Sequence, residues 1–255
     1  MELNKIYNMD CLAGMKEIPD KSIDMILCDL PYGTIDSKWD VIIPFDELWE
    51  QYERIITDRG AIVLTANGSF THKLVASNLD LYRYKWIWLK NKAGNFINAK
   101  NRPMTSFEEV LVFSKGVTAN GSNNRMNYFP QGLRSVNQVS KSSLKNSNHV
   151  GKRPSHKEHT IQEYTNYPKD VLRFSLDKDT FHPTQKPVSL FEYLLKTYSE
   201  EGNTVLDNCM GSGTTAIAAI RTNRNFIGFE MEKEYYEKSI QRIETEKKRP
   251  VSLWG

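Results

Sequence analysis

The chain predicts an α/β fold built on a doubly wound, largely parallel sheet, and three observations carry that prediction. Short apolar runs recur along it, β-branched or aromatic and apolar on both faces. Helical apolar spacing fills most of the gaps between them. At two of the strand ends stand acids followed by turn residues, where open α/β sheets keep their ligands.

The strands are read at residues 23–28, 61–65, 85–89, 110–113, 204–206 and 226–229. Strands apolar on both faces are strands covered by helices on both sides. A helix is predicted over 45–57, where Phe45, Leu48, Trp49, Tyr52, Ile55 and Ile56 fall on one stripe. Residues 187–198 open with a proline suited to a first helical turn and continue with Leu190, Tyr193, Leu194 and Tyr198. Helices over 214–222 and 232–246 complete the alternation, which argues for a doubly wound sheet. The tail EKKRPVSLWG reads as a helix end plus a short arm.

The alternation fails between about residues 116 and 179. This stretch is rich in Ser, Asn, Gly, Lys and Arg and is too long for an ordinary connection. The division expected is therefore 1–115 and 181–255 as two halves of one domain, with 116–180 inserted. Tyr128, Phe129, Tyr164 and Tyr167 predict folding at the two ends of the insert, and 137–159 is expected to order on a partner. From Lys115 to Lys157 there are eight cations and no acid, in a chain whose net charge is only +3. That local excess fits a polyanion partner or a solvated lysine-rich loop.

Composition excludes several classes. At 39% hydrophobic and 25% charged residues the chain is an ordinary globular protein. It has no apolar run near the ~20 residues that cross a bilayer, and the opening MELNKIYNMD has no apolar signal core. The three cysteines, Cys11, Cys28 and Cys209, are scattered without a CxxC pair, so no zinc site or disulfide framework is expected. A reducing, cytosolic setting follows.

Two stretches carry chemistry. The first is DLPYG, residues 29–33, directly after the first apolar strand. An acid cannot lie unpaired in a core, so Asp29 must face a cleft. Pro31 stiffens the turn and fixes the direction of the Leu30 carbonyl, and Tyr32 offers a flat ring. Together they form a receptor for a planar group with an exocyclic amine: one hydrogen to Asp29, one to the Leu30 carbonyl, the ring stacked on Tyr32. The second stretch is NTVLDNCMGSGTTAIAAI, residues 203–220, which reads strand, acid, Gly-rich turn, helix. Gly211 and Gly213 permit a tight turn, and the helix start offers free N–H groups. There is no lysine before Thr214 for a triphosphate loop and no third glycine for a dinucleotide fingerprint, so the loop reads as a small-cofactor site. Glu230 follows about 20 residues on at the next strand end, placed as a ribose-binding acid.

DLPYG resembles the [D/N/S]-x-P-[Y/F] motif of the amino-group DNA methyltransferases. NTVLDNCMGSGTT resembles their S-adenosylmethionine loop, and FHPTQKPVSLFEYLL, residues 181–195, resembles the segment that precedes that loop. The order, catalytic motif then insert then cofactor loop, is similar to the β group of these enzymes. The resemblance implies a Rossmann-like methyltransferase sheet with circularly permuted motif order and a central target-recognition region. It implies that Asp29, Leu30, Pro31 and Tyr32 hold a flipped base. It implies a cofactor held by Asp10, Asp29, His182, Thr184, Lys186, Asp207, Met210, Gly211, Gly213, Thr214 and Glu230, with Lys186 suited to the cofactor carboxylate and His182, Pro183 and Thr184 along its methionine portion. Two departures stand out: Leu30 replaces the usual first proline, and Asn208-Cys209 replaces Pro-Phe.

The activity so implied is methyl transfer from S-adenosylmethionine to the N6 amine of adenine in double-stranded DNA, by direct attack after base flipping. No cysteine follows a proline, so a ring-carbon methylase with a Pro-Cys nucleophile is not indicated. The loop with Lys38 and Trp39 is expected to close over the base or the DNA, and Arg125, Arg134, Lys141, Lys145, Lys152 and Arg153 to contact DNA. The acid at the first motif position favours adenine over cytosine N4. RNA or protein-amide methylation and a catalytically silent DNA-binding regulator are the remaining alternatives. The resemblance also admits a homodimer and a companion restriction endonuclease.

Overall fold

The computed structural model describes residues 1–34, 37, 40–141, 159–178, 180–181 and 184–249. The chain divides into two compact units, one formed by Met1–Phe129 with Asp170–Gly255 and the other by Pro130–Lys169.

The larger unit is an eight-stranded sheet. Its strands are β1 (Lys5–Tyr7), β2 (Ile23–Cys28), β3 (Ile56–Ala66), β4 (Tyr82–Gly94), β5 (Thr105–Phe113), β8 (Val171–Arg173), β9 (Thr204–Asp207) and β10 (Asn225–Phe229). Their spatial order is β1-β10-β9-β2-β3-β5-β4-β8. The five strands from β1 to β3 are mutually parallel. β5 runs antiparallel to both β3 and β4, and β8 pairs parallel with β4.

This departs from uniform alternation for a local reason. β4 and β5 are joined by a hairpin with one 3₁₀ turn at its tip, too short for the crossover that parallel neighbours require.

Among the described residues six α-helices cover the faces: α1 (Cys11–Lys16), α2 (Phe45–Ile55), α3 (Gly68–Ser77), α4 (Val188–Tyr198), α5 (Thr214–Arg221) and α6 (Lys233–Lys247). Side chains of β2 alternate between two cores. Met25 and Leu27 pack in the core that includes residues of α4, α5 and α6. Ile26 and Cys28 pack in the core that includes residues of α1, α2 and α3. Both faces of the strand are thus apolar, as the run IDMILC implies.

α2 ends at Ile55, two residues before the expected limit, because Ile56 is already extended as the first residue of β3 and pairs with Ile23 of β2. α1 and α3 were not legible. α1 has six residues, and α3 buries only Phe70, Thr71 and Leu74.

The separate unit, Pro130–Lys169, is narrower than the expected insert 116–180. Residues on either side of it belong to the main unit: Met126 is buried, Phe129 N–H donates to the Thr197 carbonyl at 2.7 Å, and β8 joins the large sheet. By itself the smaller unit is an antiparallel ribbon of β6 (Arg134–Lys141) and β7 (His159–Thr165). Val136, Val139, Ile161 and Tyr164 are exposed on it. Among the described residues, no helix is long and apolar enough to cross a membrane.

Candidate active site

β2 and β9 lie side by side although some 180 positions separate them, with Ile26 opposite Leu206. The chain leaves β2 for β3 on one side and leaves β9 for β10 on the other. Such a switch point opens a crevice beyond the carboxyl ends of the strands. Here the crevice is a cavity of about 570 Å³, within the range that takes a small ligand. DLPY and the Gly-rich loop form facing walls. Asp10, Asp29, Leu30, Pro31 and Tyr32 line it from the first half of the sequence, and Thr184, Lys186, Asp207, Met210, Gly211, Thr214 and Glu230 from the second. Gly213 stands behind that wall as the residue before α5. His182, Pro183, Lys38, Trp39, Lys145, Lys152 and Arg153 lie outside the described residues, as does the Lys141 side chain.

Asp29 is held from two sides. Its Oδ1 accepts from the Thr65 hydroxyl and from the Tyr32 phenol at 3.0 Å. Its Oδ2 accepts from Lys186 Nζ at 2.6 Å. Burial, then the Asp29 charge, pushes the Tyr32 phenol well above its ordinary range, so it stays protonated and donates. The Tyr32 ring stacks on Phe70, centroids 4.8 Å apart at 24°, and Lys186 Nζ lies over the same ring, 5.7 Å from its centroid. Asp40 orders the turn from below: its carboxylate accepts from the backbone N–H groups of Tyr32, Gly33 and Thr34 at 2.7, 3.0 and 2.6 Å.

Lys186 is nearly fully buried and belongs to a chain of four charges. Beyond Asp29 it faces Glu108 Oε2 at 3.4 Å, a separation suited to charge attraction rather than a good hydrogen bond. Glu108 Oε1 pairs with Lys90. Burial works against the Lys186 ammonium, but the Asp29 and Glu108 charges outweigh it and hold the pKa above the usual lysine value. Burial likewise works against the Glu108 carboxylate, and Lys186 and Lys90 outweigh it. Nothing local in the sequence marks Thr65, Phe70 or Lys90 as site residues. For Glu108 a signal existed: the acidic pair in SFEEVLVF stands at the start of a strand otherwise apolar to its end.

The cofactor wall is built by its own hydrogen bonds. Asp207 accepts from Thr215 Oγ1 at 2.5 Å and from the Cys209 N–H at 3.0 Å, so it closes the turn that carries the glycines. Burial raises its pKa to about 6. Gly211 and Gly213 have φ of +49° and +78°, and a Cβ on Gly213 would approach Ser239 Cβ to 3.2 Å. Met210 packs over Gly228, where a Cβ would collide with its methyl carbon. Thr214 Oγ1 donates to the Lys186 carbonyl at 3.2 Å and ties the loop to the segment before α4. Asp10 caps α1 by accepting from Ala13 N–H at 2.9 Å.

The scattered cysteines converge behind this loop. Asn208 Nδ2 lies 3.7 Å from Cys11 Sγ and 3.6 Å from Cys209 Sγ, and burial raises the Cys28 thiol to about 12. Tyr52 donates to Asn208 Oδ1 at 2.5 Å and anchors the loop to α2.

Two features fit a polar, ribose-bearing cofactor. Glu230 uses one lone pair on each oxygen for backbone, accepting from Gly211 N–H at 2.7 Å and Glu232 N–H at 2.8 Å. The carboxylate's remaining lone-pair capacity is available to ligand hydroxyls. Gln185, at the cavity wall and 7% exposed, finds no hydrogen-bond partner for either end of its amide among the described residues. A buried amide left in that state costs about 1–3 kcal/mol unless something bonds it.

The DNA methylase family profile matches residues 23–242 of this chain. The chain is 28% identical over 259 residues to DNA adenine methyltransferase YhdJ of Escherichia coli K12, covering 95% of this chain and 83% of that protein. It is 28% identical over 252 residues to type II methyltransferase M1.MboII of Moraxella bovis, covering 92% and 94%. Among solved structures it is similar in fold to the cytosine-N4-specific PvuII DNA methyltransferase, with a TM-score of 0.64 at 16% identity over 98% of this chain and 87% of that one. It is also similar to the M1.HpyAVI–SAM complex, with a TM-score of 0.60 at 21% identity over 93% and 98%.

Proposed function

The chain belongs to the N6/N4 DNA methylase family, and within it we propose that this protein methylates the N6 amine of adenine in double-stranded DNA, with S-adenosylmethionine as donor. The observation that carries the reading is the Asp29 carboxylate. Thr65 and Tyr32 fix one oxygen, and the other is presented beside a ring backed by Phe70.

An aromatic amine is a poor nucleophile because its lone pair is delocalised into the ring. Asp29 Oδ2 accepts one N–H and the Leu30 carbonyl the other. With both hydrogens accepted in this way, the nitrogen is drawn toward tetrahedral geometry and its lone pair is freed. The bound cofactor supplies an electrophilic methyl group. The residues contribute position and electrostatics and form no covalent bond.

Lys186 occupies the very oxygen the amine needs. Glu108, 3.4 Å from the same ammonium, gives it a second partner as the base enters. After transfer the amine carries one proton too many, and Asp29 Oδ2 is placed to take it. Glu230 and Gln185 hold the cofactor's polar groups, and Asp207 holds the loop around it.

The acid at position 29 and the likeness to an adenine methyltransferase favour adenine. A cytosine N4 amine would satisfy the same receptor, and the PvuII likeness keeps that reading second. A companion endonuclease belongs to the same proposal, supported by the likeness to type II enzymes; a homodimer and action in the cytoplasm are carried with it only as what the family resemblance implies.

Nucleoside mass spectrometry on unmethylated genomic DNA, treated with the protein and S-adenosylmethionine, tests it. N6-methyladenine is expected. N4-methylcytosine would keep the amine receptor and overturn the base. No methylated base, with cofactor bound, would overturn the function.

A further inference from the structure

Residues 91–104, the outer part of the hairpin that joins β4 to β5, take no part in the chemistry above. β4 runs in the same direction as β2 and β3, toward the edge that carries Asp29. Ala66, the last residue of β3, lies level with Glu109, and Glu109 lies level with Ile87 of β4. Beyond that level β4 continues to Gly94, and the pairing of Gly94 with Thr105 keeps the two arms together. On the β5 arm the four steps from Glu109 to Thr105 rise roughly 13 Å, and β4 covers the same distance with seven residues through an irregularity between Leu89 and Gly94. The hairpin therefore overhangs the catalytic edge. Its base is bonded into the site through Lys90, which pairs with Glu108, and Trp88, Lys90 and Glu108 line the cavity.

The tip is a built structure. Asn95 takes the left-handed conformation at φ +66°. Ala99 N–H donates to the Phe96 carbonyl at 3.0 Å, and the Asn101 and Arg102 N–H groups donate to the Asn98 carbonyl at 2.9 and 3.0 Å. These turns hold two large apolar side chains outward: Phe96 is 79% exposed and Ile97 91%. Met104 and Phe107 add exposed apolar surface along the arm. Residues 89–107 contain four cations, Lys90, Lys92, Lys100 and Arg102, and no acid. All but Lys90 are exposed. Neighbouring apolar groups this exposed, ringed by cations, mark an interaction surface for an anion with an apolar interior. Duplex DNA has that character, with phosphates outside and base steps within.

We infer that residues 91–104 form a DNA-entering hairpin, in which Phe96 and Ile97 wedge against the base stack beside the flipped nucleotide while Lys92, Lys100 and Arg102 hold flanking phosphates. The inference rests on the methyl-transfer reading for its partner. Base extrusion costs a few kcal/mol, and an apolar wedge that fills the vacated stack offsets part of it. Because the hairpin grows from β4 and β5, wedge and receptor are carried on one rigid sheet.

The test uses the full chain, genomic duplex DNA and two main variants. One is Phe96→Ala with Ile97→Ala; the other is Lys92→Gln, Lys100→Gln and Arg102→Gln together. All five side chains are exposed, but Arg102 also contacts the Asn95 amide at the tip; unfolding midpoints are therefore compared, and Lys92→Gln with Lys100→Gln alone, which leaves that contact in place, should lower the slope by about 1.8 at about 0.9 per phosphate. The triple variant should weaken DNA binding and lower the slope of log K against log salt by about 2.7, at about 0.9 per phosphate. The Phe96/Ile97 variant should keep that slope yet lose about tenfold or more in kcat/KM for methyl transfer.

Unchanged slope and unchanged rate, with the unmodified protein active, would overturn the inference. Loss of self-association in place of a DNA effect would assign the hairpin to a chain–chain contact and overturn it too. DNA binding by the unmodified protein without methyl incorporation would instead sink the methyl-transfer reading, and the slope alone would then judge the hairpin.

Discussion

Replacing Asp207 with asparagine should stabilise the protein, and only above about pH 4. The carboxyl is buried with its pKa raised from 3.8 to about 6. The folded state therefore holds this proton more tightly than the unfolded chain does. Below pH 3.8 both states are protonated and the group costs nothing. As pH rises from about 4 to 6 the unfolded chain ionises first, and stability falls. Above about 6 the penalty is constant. A carboxyl raised from 3.8 to about 6 carries a penalty of about 3 kcal/mol. Asparagine keeps the shape, accepts from the Cys209 N–H with its oxygen, and donates to Thr215 Oγ1 with its nitrogen. The assay is thermal unfolding of both proteins from pH 4 to pH 8. The difference in Tm should be near zero at pH 4 and grow through pH 6. It should level at about 6–12 °C in favour of the variant, at about 2–4 °C per kcal/mol. A difference independent of pH, or a variant less stable at pH 8, would refute burial as the cause of the raised pKa.

Other outcomes follow from the same geometry. Gln185→Leu should leave stability unchanged or raise it by about 1–3 kcal/mol, since it removes a buried amide that has no partner among the described residues. It should also weaken S-adenosylmethionine binding measured by calorimetry. Lys186→Met leaves Asp29 and Glu108 without their shared cation and should cost about 3–5 kcal/mol in urea unfolding at pH 8. Part of that loss should return at pH 5, where one carboxylate can take up a proton. Gly213→Ala should cost about 1–2 kcal/mol for the left-handed backbone alone, read as a lowered Tm, with a further loss of cofactor affinity as the loop shifts away from Ser239.

Much of the fold was legible where pattern is local. The run IDMILC sets β2 at its observed limits because both of its faces meet apolar cores. The strand–acid–glycine–helix order of 203–220 is likewise fixed by near neighbours, the Asp207–Thr215 bond among them. What was hidden depends on contacts distant in sequence. Thr65 and Phe70 reach Asp29 and Tyr32 only because β3 lies beside β2. Glu108 reaches Lys186 only because the β4–β5 hairpin reverses direction at the catalytic edge. The cysteines appear unrelated until β2, β9 and α1 are brought together. The same reversal explains the exposed Phe96 and Ile97, which sequence alone does not distinguish from core residues.

The central claim is that the Asp29 carboxylate receives the amine. Methyl incorporation from labelled S-adenosylmethionine into unmethylated DNA should be compared for the unmodified protein and Asp29→Asn, with cofactor affinity measured in parallel. Asparagine fills the same space and can still accept from Thr65 and Tyr32, but it presents an N–H where Oδ2 stood. The account predicts a rate lower by about 10²-fold or more with cofactor affinity nearly unchanged. An Asp29→Asn protein that methylates DNA at the unmodified rate would contradict it.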